Sequence, residues 1–379
     1  MKKSIAILLC VALCLQLFLP ICAAEQEAVI DLDAPSAVLM ERSTGNILYE
    51  KDATTHRPMA SVTKVMTLLL IMEAIQSKKI TYETKISCSA HAASMGGSQI
   101  FLKEGESMSV DDMLKAICVA SGNDASVAMA EAVAGSEQAF ITLMNNRAKE
   151  LGMNDTHFVN CTGLDADGHY SCAKDIAVMS RKLLSFPDIR KYTTIWMDTL
   201  RDGTFGLSNT NKLVRFYEGC TGLKTGSTGK ALYCMSASAE RNGMELIAVV
   251  LASPTSPKRF ADAKKLLDYG FASYDIFQTE INLPEFINVV GGKAETAPIS
   301  SGKKVSLLVT KGTAAGINVV TEIDPFITAP AEKGTQVGHV DLVSGEKIIK
   351  SFPVVLRENV PAATFKDIFL QIINVFLAV

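Results

Sequence analysis

The chain has 379 residues, of which 48% are apolar, 20% charged and 7% aromatic, with 25 Gly, 12 Pro and a formal net charge of −3. These values exclude a disordered, collagen-like or repeat-built chain, and 37 basic against 40 acidic residues leave no global electrostatic footprint for nucleic acid. At roughly 100 to 200 residues per domain, the length predicts about two domains, each able to bury a core.

Lys2 and Lys3 precede an apolar run from Ile5 to Leu19, then Pro20 and the small-residue triplet Cys22-Ala23-Ala24. This pattern predicts a secretory signal peptide over residues 1–24, shorter in its apolar part than the ~20 residues a spanning helix needs. Lipidation at Cys22 fits less well, because bulky Ile21 stands where that processing wants a small residue. Next, Ser36 to Glu41 and Ile47 to Glu50 flank the turn Ser43-Thr44-Gly45-Asn46 and read as a hairpin. Ser61 to Gln76 reads as a helix whose centre, VMTLLLIMEAI, is apolar almost all round, so it should cross a core. Further helices are predicted at Val110 to Ala120, Ala125 to Ala134, Glu137 to Leu151 and Ala173 to Leu184. Ser171 reads as the cap of the last of these. Strands return at Gly222 to Thr225, Ala231 to Ala239 and Met244 to Ala252, the last two joined by the hairpin signal Asn242-Gly243. A helix from Ser256 to Tyr269 follows.

The order hairpin, helical block, hairpin predicts one antiparallel sheet made from both ends of residues 25–275 and packed against central helices, an α+β arrangement. After about Asp275 the segments VSLLVT, INVVTEI, QVGHVDLV and IIKSFPVVL are short strands separated by Gly and Pro, predicting a small all-β domain over residues 281–359. Residues 362–379, AATFKDIFLQIINVFLAV, gather Lys366, Asp367, Gln371 and Asn374 on one helical face, opposite Phe365, Ile368, Phe369, Ile372, Val375, Phe376 and Val379. Too few uncharged residues follow Asp367 to span a bilayer, so an in-plane amphipathic anchor on a membrane surface is expected.

Of nine cysteines, Cys88, Cys118, Cys161, Cys172, Cys220 and Cys234 lie beyond the signal segment, none with C-x-x-C spacing. The five histidines show no i,i+4 pairing. Neither a metal nor an organic cofactor is implied, and no histidine has an obvious role as a base.

A serine can instead be activated by a lysine. Ser61 opens the apolar helix and Lys64 follows at i+3 on the same face, where the helix N-terminus favours an anionic oxygen. The spacing S-x-x-K recurs at Ser171, Ser227, Ser300, Ser301 and Ser344, but those copies lie in turns or at a surface helix cap. Only the Ser61 copy is built into a core. Two further triads each occur once: Ser121-Gly122-Asn123 after the apolar run ICVA, and Lys224-Thr225-Gly226 on the first strand after the helical block. Ser121 can relay a proton and Asn123 can orient a substrate amide, while Lys224 and Thr225 offer a cation and a hydroxyl to a carboxylate.

S-x-x-K, S-x-N and K-T-G in that order resemble the motif set of penicillin-binding proteins and serine β-lactamases. The wider stretches APSAVLMERSTGNILYEKD, RPMASVTKVMT, SMGGSQIF, ASGNDASVAMAE, HFVNCTGLDADGHYS, NTNKLVRFY and GLKTGSTGKALYC resemble secreted D-alanyl-D-alanine carboxypeptidases of low molecular mass, those of Gram-positive bacteria above all. The resemblance implies the penicillin-binding-protein fold, removal of the terminal D-Ala from peptidoglycan pentapeptide stems, and covalent inhibition by β-lactams. It also implies that Ser61 is the acylated nucleophile, Lys64 its base, and Ser121 and Asn123 the second wall of the cleft. Lys224 and Thr225 would face the substrate carboxylate, Gly226 would keep the strand open, and the N–H groups of Ser61 and Ser227 would form the oxyanion hole. Arg259, in RFADAKKLL, aligns with an arginine that helps near the carboxylate.

The chain departs from that pattern at Cys161, which with Cys172 suggests a disulfide. Between Glu150 and Glu218 no Glu occurs, so the deacylating glutamate of class A β-lactamases is missing and a long-lived penicilloyl adduct is expected. A transpeptidase or endopeptidase acting on the same peptides is the alternative, followed by a non-catalytic β-lactam sensor.

Overall fold

A computed structural model describes residues 30–300 and 304–377. The expected signal segment lies outside the described residues. Strands β1 (Ser36–Glu41) and β2 (Ile47–Lys51) form the first hairpin. After a helical block come β7 (Cys220–Thr228), β8 (Leu232–Arg241) and β9 (Met244–Ser253), once the two short ribbons β3 (Lys85–Ser87) with β4 (Ser107–Ser109) and β5 (Met197–Leu200) with β6 (Phe205–Ser208) are counted. They assemble in the order β2-β1-β9-β8-β7, antiparallel throughout, so both ends of this region meet in one sheet as the element order predicts. The β8–β9 turn has Arg241 opposite Met244, with Asn242 at φ 51° and Gly243 at φ 78°. These left-handed conformations are what an Asn-Gly turn supplies at low cost.

Every residue of β1 is buried and β9 is buried almost throughout, because helices cover both faces of the sheet. The Ser256–Ser273 helix lays Gly270 against Leu39 and Leu246, where a Cβ would come within 2.5 Å of the Leu246 side chain. On the opposite face the Ala173–Leu183 helix joins the sheet through Ser180, whose hydroxyl lies 2.8 Å from that of Ser236. The helix α1 (Lys64–Gln76) crosses the middle of the helical block with most of its side chains buried, matching its apolar sequence.

Several boundaries differ from expectation in ways that matter at the site. Ser61 lies in a 3₁₀ turn, Ala60–Thr63, that tightens the entry to α1. The expected Val110 to Ala120 helix stops at Lys115 and continues as a π-type turn, Ala116–Ala120, ending at Ser121 in the left-handed region (φ 63°). Cys172, not Ser171, caps the Ala173–Leu183 helix, its Sγ accepting from Asp175 N at 3.4 Å. The six cysteines of the described residues are free thiols, and the suggested Cys161–Cys172 bridge is absent. Cys161 Sγ instead donates to Glu137 Oε1 at 3.3 Å.

Beyond Tyr274 the structure is strands in three small sheets. β10 (Tyr274–Glu280) begins where the Ser256–Ser273 helix ends and pairs with β13 (Lys304–Thr310), after β11 (Phe286–Val290) and β12 (Thr296–Pro298). β14 (Ile317–Ile323), β15 (Phe326–Thr328), β16 (Gln336–Ser344) and β17 (Lys347–Val355) complete them around a core that includes Ile287, Ile299, Val337, Leu342 and Leu356. A helix over Phe365–Leu377 follows, started by reciprocal bonds between Thr364 and Asp367, with Phe365, Ile368, Phe369 and Leu370 exposed.

Candidate active site

Lys64 is wholly buried, and its Nζ lies 3.0 Å from Ser61 Oγ, 2.6 Å from Asn123 Oδ1 and 2.7 Å from the Thr162 carbonyl. The 3₁₀ turn and the first turn of α1 bring Ser61 and Lys64 onto one face. Burial, and then the nearby Lys224, push the Lys64 ammonium well below the ordinary lysine range. An unprotonated Lys64 keeps two N–H donors for Asn123 and Thr162 and turns its lone pair toward the Ser61 hydroxyl. That arrangement can draw a proton off serine without histidine.

The Ser121-Gly122-Asn123 triad is held by its backbone. Ser121 is at φ 63°, and its buried hydroxyl has no hydrogen-bond partner among the described residues. A left-handed residue with an unsatisfied hydroxyl, set by a π-type turn, leaves that hydroxyl available to a reacting group. Asn123 donates from Nδ2 to the Gly96 carbonyl at 2.6 Å, and its N–H bonds Ser98 O at 2.7 Å. Asp124 fixes the same segment, its carboxylate accepting from the N–H groups of Ile100 and Leu102.

Lys224, Thr225, Gly226 and Ser227 follow one another on β7, the edge strand of the sheet, whose outer rim can pair with an extended peptide. A Cβ on Gly226 would stand 2.7 Å from Ser61 N and 2.9 Å from Val62 N, so only glycine lets β7 approach the serine this closely. Lys224 is buried, donates to the Thr225 carbonyl at 2.8 Å and is held near 7 chiefly by burial. Thr225 Oγ1 donates to Thr210 Oγ1 at 2.7 Å. Ser227 is exposed and sits opposite Tyr233. Arg259 meets β7 from behind, its Nη1 donating to Gly226 O at 3.1 Å and Cys234 O at 3.3 Å. Burial lowers its guanidinium to about 10.

The sequence motifs did not name the segment that closes this cleft. The segment 160–164 supplies the Thr162 carbonyl, and a Cβ at Gly163 (φ 89°) would overlap the Ala60 carbonyl. Behind it, buried His169 accepts from Val159 N at 3.0 Å through Nδ1 and so presents Nε2–H to Thr63 Oγ1 at 2.8 Å. Burial lowers this imidazole to about 4, which keeps it neutral. Both lie within HFVNCTGLDADGHYS, but a backbone carbonyl carries no side-chain signature. Asp155, Cys172 and Asp175 bring metal-type atoms within 4.8 Å of one another, yet Asp175 is engaged by Thr156 and by Asp155 N, and Cys172 by the helix it caps.

A serine paired with a buried lysine, on a helix start against the edge of an antiparallel sheet, defines a serine-type acyl-transfer enzyme of the penicillin-binding class. A family model described as D-alanyl-D-alanine carboxypeptidase matches residues 22–255, and one described as penicillin-binding protein 5, C-terminal domain, matches residues 279–362. The chain therefore belongs to the D-alanyl-D-alanine carboxypeptidase family. It is 42% identical over 376 residues to D-alanyl-D-alanine carboxypeptidase DacF of Bacillus subtilis, covering 96% of each chain. Penicillin-binding protein 5 from Haemophilus influenzae superposes with a TM-score of 0.76 at 29% identity, over 88% of this chain and 98% of that one. Penicillin-binding protein D2 from Listeria monocytogenes in its cefotaxime-bound form gives 0.59 at 35% identity, over 64% and 98%.

Proposed function

We propose that this enzyme removes the terminal D-alanine from peptidoglycan pentapeptide stems through an ester on Ser61. Ser61 Oγ attacks the carbonyl of the penultimate D-Ala while its proton passes to Lys64 Nζ. The tetrahedral oxyanion rests on the N–H groups of Ser61 and Ser227, each such donor typically worth ~3 kcal/mol. Collapse breaks the C–N bond, and Ser121 relays the proton to the departing amine, so free D-Ala leaves. Water then attacks the ester, Lys64 takes its proton, and Ser61 regains one as the shortened peptide departs.

Asn123 orients the substrate amide, and Lys224 and Thr225 receive the terminal carboxylate. Arg259 acts through the Gly226 carbonyl it holds, keeping β7 in place. A carboxylate arriving beside Lys224 favours its charged form, and that charge keeps Lys64 unprotonated. Substrate binding thus supports the base it needs. The observation that carries this reading is the Lys64 amine, buried and 3.0 Å from the Ser61 hydroxyl.

The signal segment over 1–24 exports the chain. The Phe365–Leu377 helix, with its exposed apolar side chains, lays it on the outer face of the cytoplasmic membrane, where the substrate lies. No described helix is long and apolar enough to cross a membrane.

Penicillin tests the nucleophile. Intact mass and peptide mapping of the full chain after incubation should find one long-lived penicilloyl group on Ser61. Rapid hydrolysis with no trapped adduct, or an adduct elsewhere, would overturn the assignment.

A further inference from the structure

Among the described residues three groups hold the Lys64 amine, and of these the Thr162 carbonyl comes from the main chain. A main-chain carbonyl is placed by the fold of its loop, and this loop is folded by one side chain. Asn160 Oδ1 accepts from Gly163 N at 2.7 Å, Thr162 N at 3.1 Å and Thr162 Oγ1 at 3.2 Å, while Nδ2 donates to the Leu164 carbonyl at 2.9 Å. Both ends of the amide are engaged, so the turn has one geometry rather than several.

The turn is then seated on the catalytic helix. Thr67 Oγ1 donates to the Cys161 carbonyl at 2.7 Å, one turn beyond Lys64. On the other side, Gly163 packs so closely on the Ala60–Ser61 peptide that it has no room for a side chain. One five-residue turn therefore touches both the base and the backbone of the nucleophile. Its internal scaffold is Asn160, which contacts neither Ser61 nor Lys64 through a hydrogen bond of its own.

We propose that Asn160 is a positioning residue for the reaction, setting the Thr162 carbonyl against the Lys64 amine and the Gly163 backbone against the Ser61 peptide. The proposal rests on Ser61 and Lys64 acting as nucleophile and base. A turn that only stabilised the fold would resemble Asn145 nearby. Asn145 Oδ1 accepts from Phe158 N at 2.9 Å and its Nδ2 donates to Phe158 O at 2.8 Å, two residues before Asn160, but it places nothing at the cleft. The pair separates a role in positioning from a role in folding.

The test is pre-steady-state acylation of the full chain by a fluorescent penicillin, resolved into the dissociation constant of the non-covalent complex and the rate constant of ester formation. Asn160→Ala should lower the rate constant ~10- to 100-fold, the scale of an ångström-size misplacement, with the dissociation constant within about threefold of the parent. Asn160→Asp, which keeps the acceptor oxygens but sets a carboxylate against the Leu164 carbonyl, should recover only part of the rate. Asn145→Ala should acylate at the parental rate even where its melting temperature falls as far. Should Asn160→Ala not fold, Asn160→Ser, which keeps one acceptor oxygen, is held to the same criterion. An Asn160 variant that acylates at the parental rate, or an Asn145 variant that loses as much, overturns the proposal. A parent that penicillin does not acylate at Ser61 overturns the assignment of the nucleophile instead.

Discussion

Charge is buried in one region of this chain and apolar surface is exposed in another. In the sheet-and-helix region Lys64, Lys224, Arg259, Asp262 and Glu245 lie out of solvent. In the strands beyond Tyr274 and the helix after them, Phe286, Val290, Phe326, Ile348, Phe365 and Phe369 stand in it. The buried charges break the ordinary distribution of residues, whereas exposed apolar side chains do so only where they gather, as Phe365, Ile368, Phe369 and Leu370 do on one helix. A buried amine such as Lys64, set 3.0 Å from the Ser61 hydroxyl, is suited to a proton transfer, so removing it should cost chemistry. An exposed apolar face is a surface available for contact outside the chain, so removing it should cost location and leave chemistry alone.

The largest expected effect tests the first half of that contrast. Lys64→Met keeps the volume and removes the amine, and should lower the rate constant for penicillin acylation by ~10³-fold or more while the protein stays folded. Acylation at near-parental rate would mean that another group is the base.

The two lysines also set a pH dependence. Lys224 must be charged to receive a carboxylate, and in the empty cleft its ammonium is held near 7. The kcat/KM for a peptide ending in a free carboxylate should therefore fall above about pH 7, roughly tenfold per unit, while a peptide ending in an amide should not share that limb. On the acid side, activity is lost as Lys64 takes up a proton, and that limb is common to both peptides. Identical alkaline limbs would remove Lys224 from carboxylate recognition.

His169 gives a smaller effect on stability. Its folded value near 4 lies below the ~6.5 of an unfolded chain, so the unfolded state binds the proton first and stability falls as the pH drops from about 6.5 toward 4. The amount is roughly 3 kcal/mol, and His169→Gln should lose that part of the pH slope in chemical denaturation. An unchanged slope would mean that other groups produce it.

The smallest expected change sharpens the second half. Ending the chain after Pro361 should abolish co-sedimentation with phospholipid vesicles and leave penicillin acylation within about twofold of the full chain, since the Phe365–Leu377 helix lies outside the catalytic sheet. Retained vesicle binding would assign the membrane contact to the strands instead.

The sequence made some of this legible and hid the rest for identifiable reasons. The placement of Ser61, Lys64, Lys224 and Thr225 beside one another could be read because their motifs depend on side chains at fixed spacing, and the sheet because its strands alternate and its Asn-Gly turn has one favoured geometry. The left-handed Ser121 could not, since the apolar run before it reads as more of the same helix and only the fold converts its last turn. The Thr162 carbonyl was invisible because every residue has one. Cys161 read as a disulfide partner because its actual partner, Glu137, stands at the start of a helix 24 residues earlier. Likewise the start of β10 was hidden by its pairing with β13, a contact between distant segments.

Release of D-Ala from a peptide ending in Lys-D-Ala-D-Ala, measured for the full chain beside its Ser61→Ala variant, is the most direct test. Release by the parent alone is the predicted result and joins the activity to its nucleophile. Equal release by both, or release by neither while penicillin still acylates the parent at Ser61, would contradict a carboxypeptidase working through that serine.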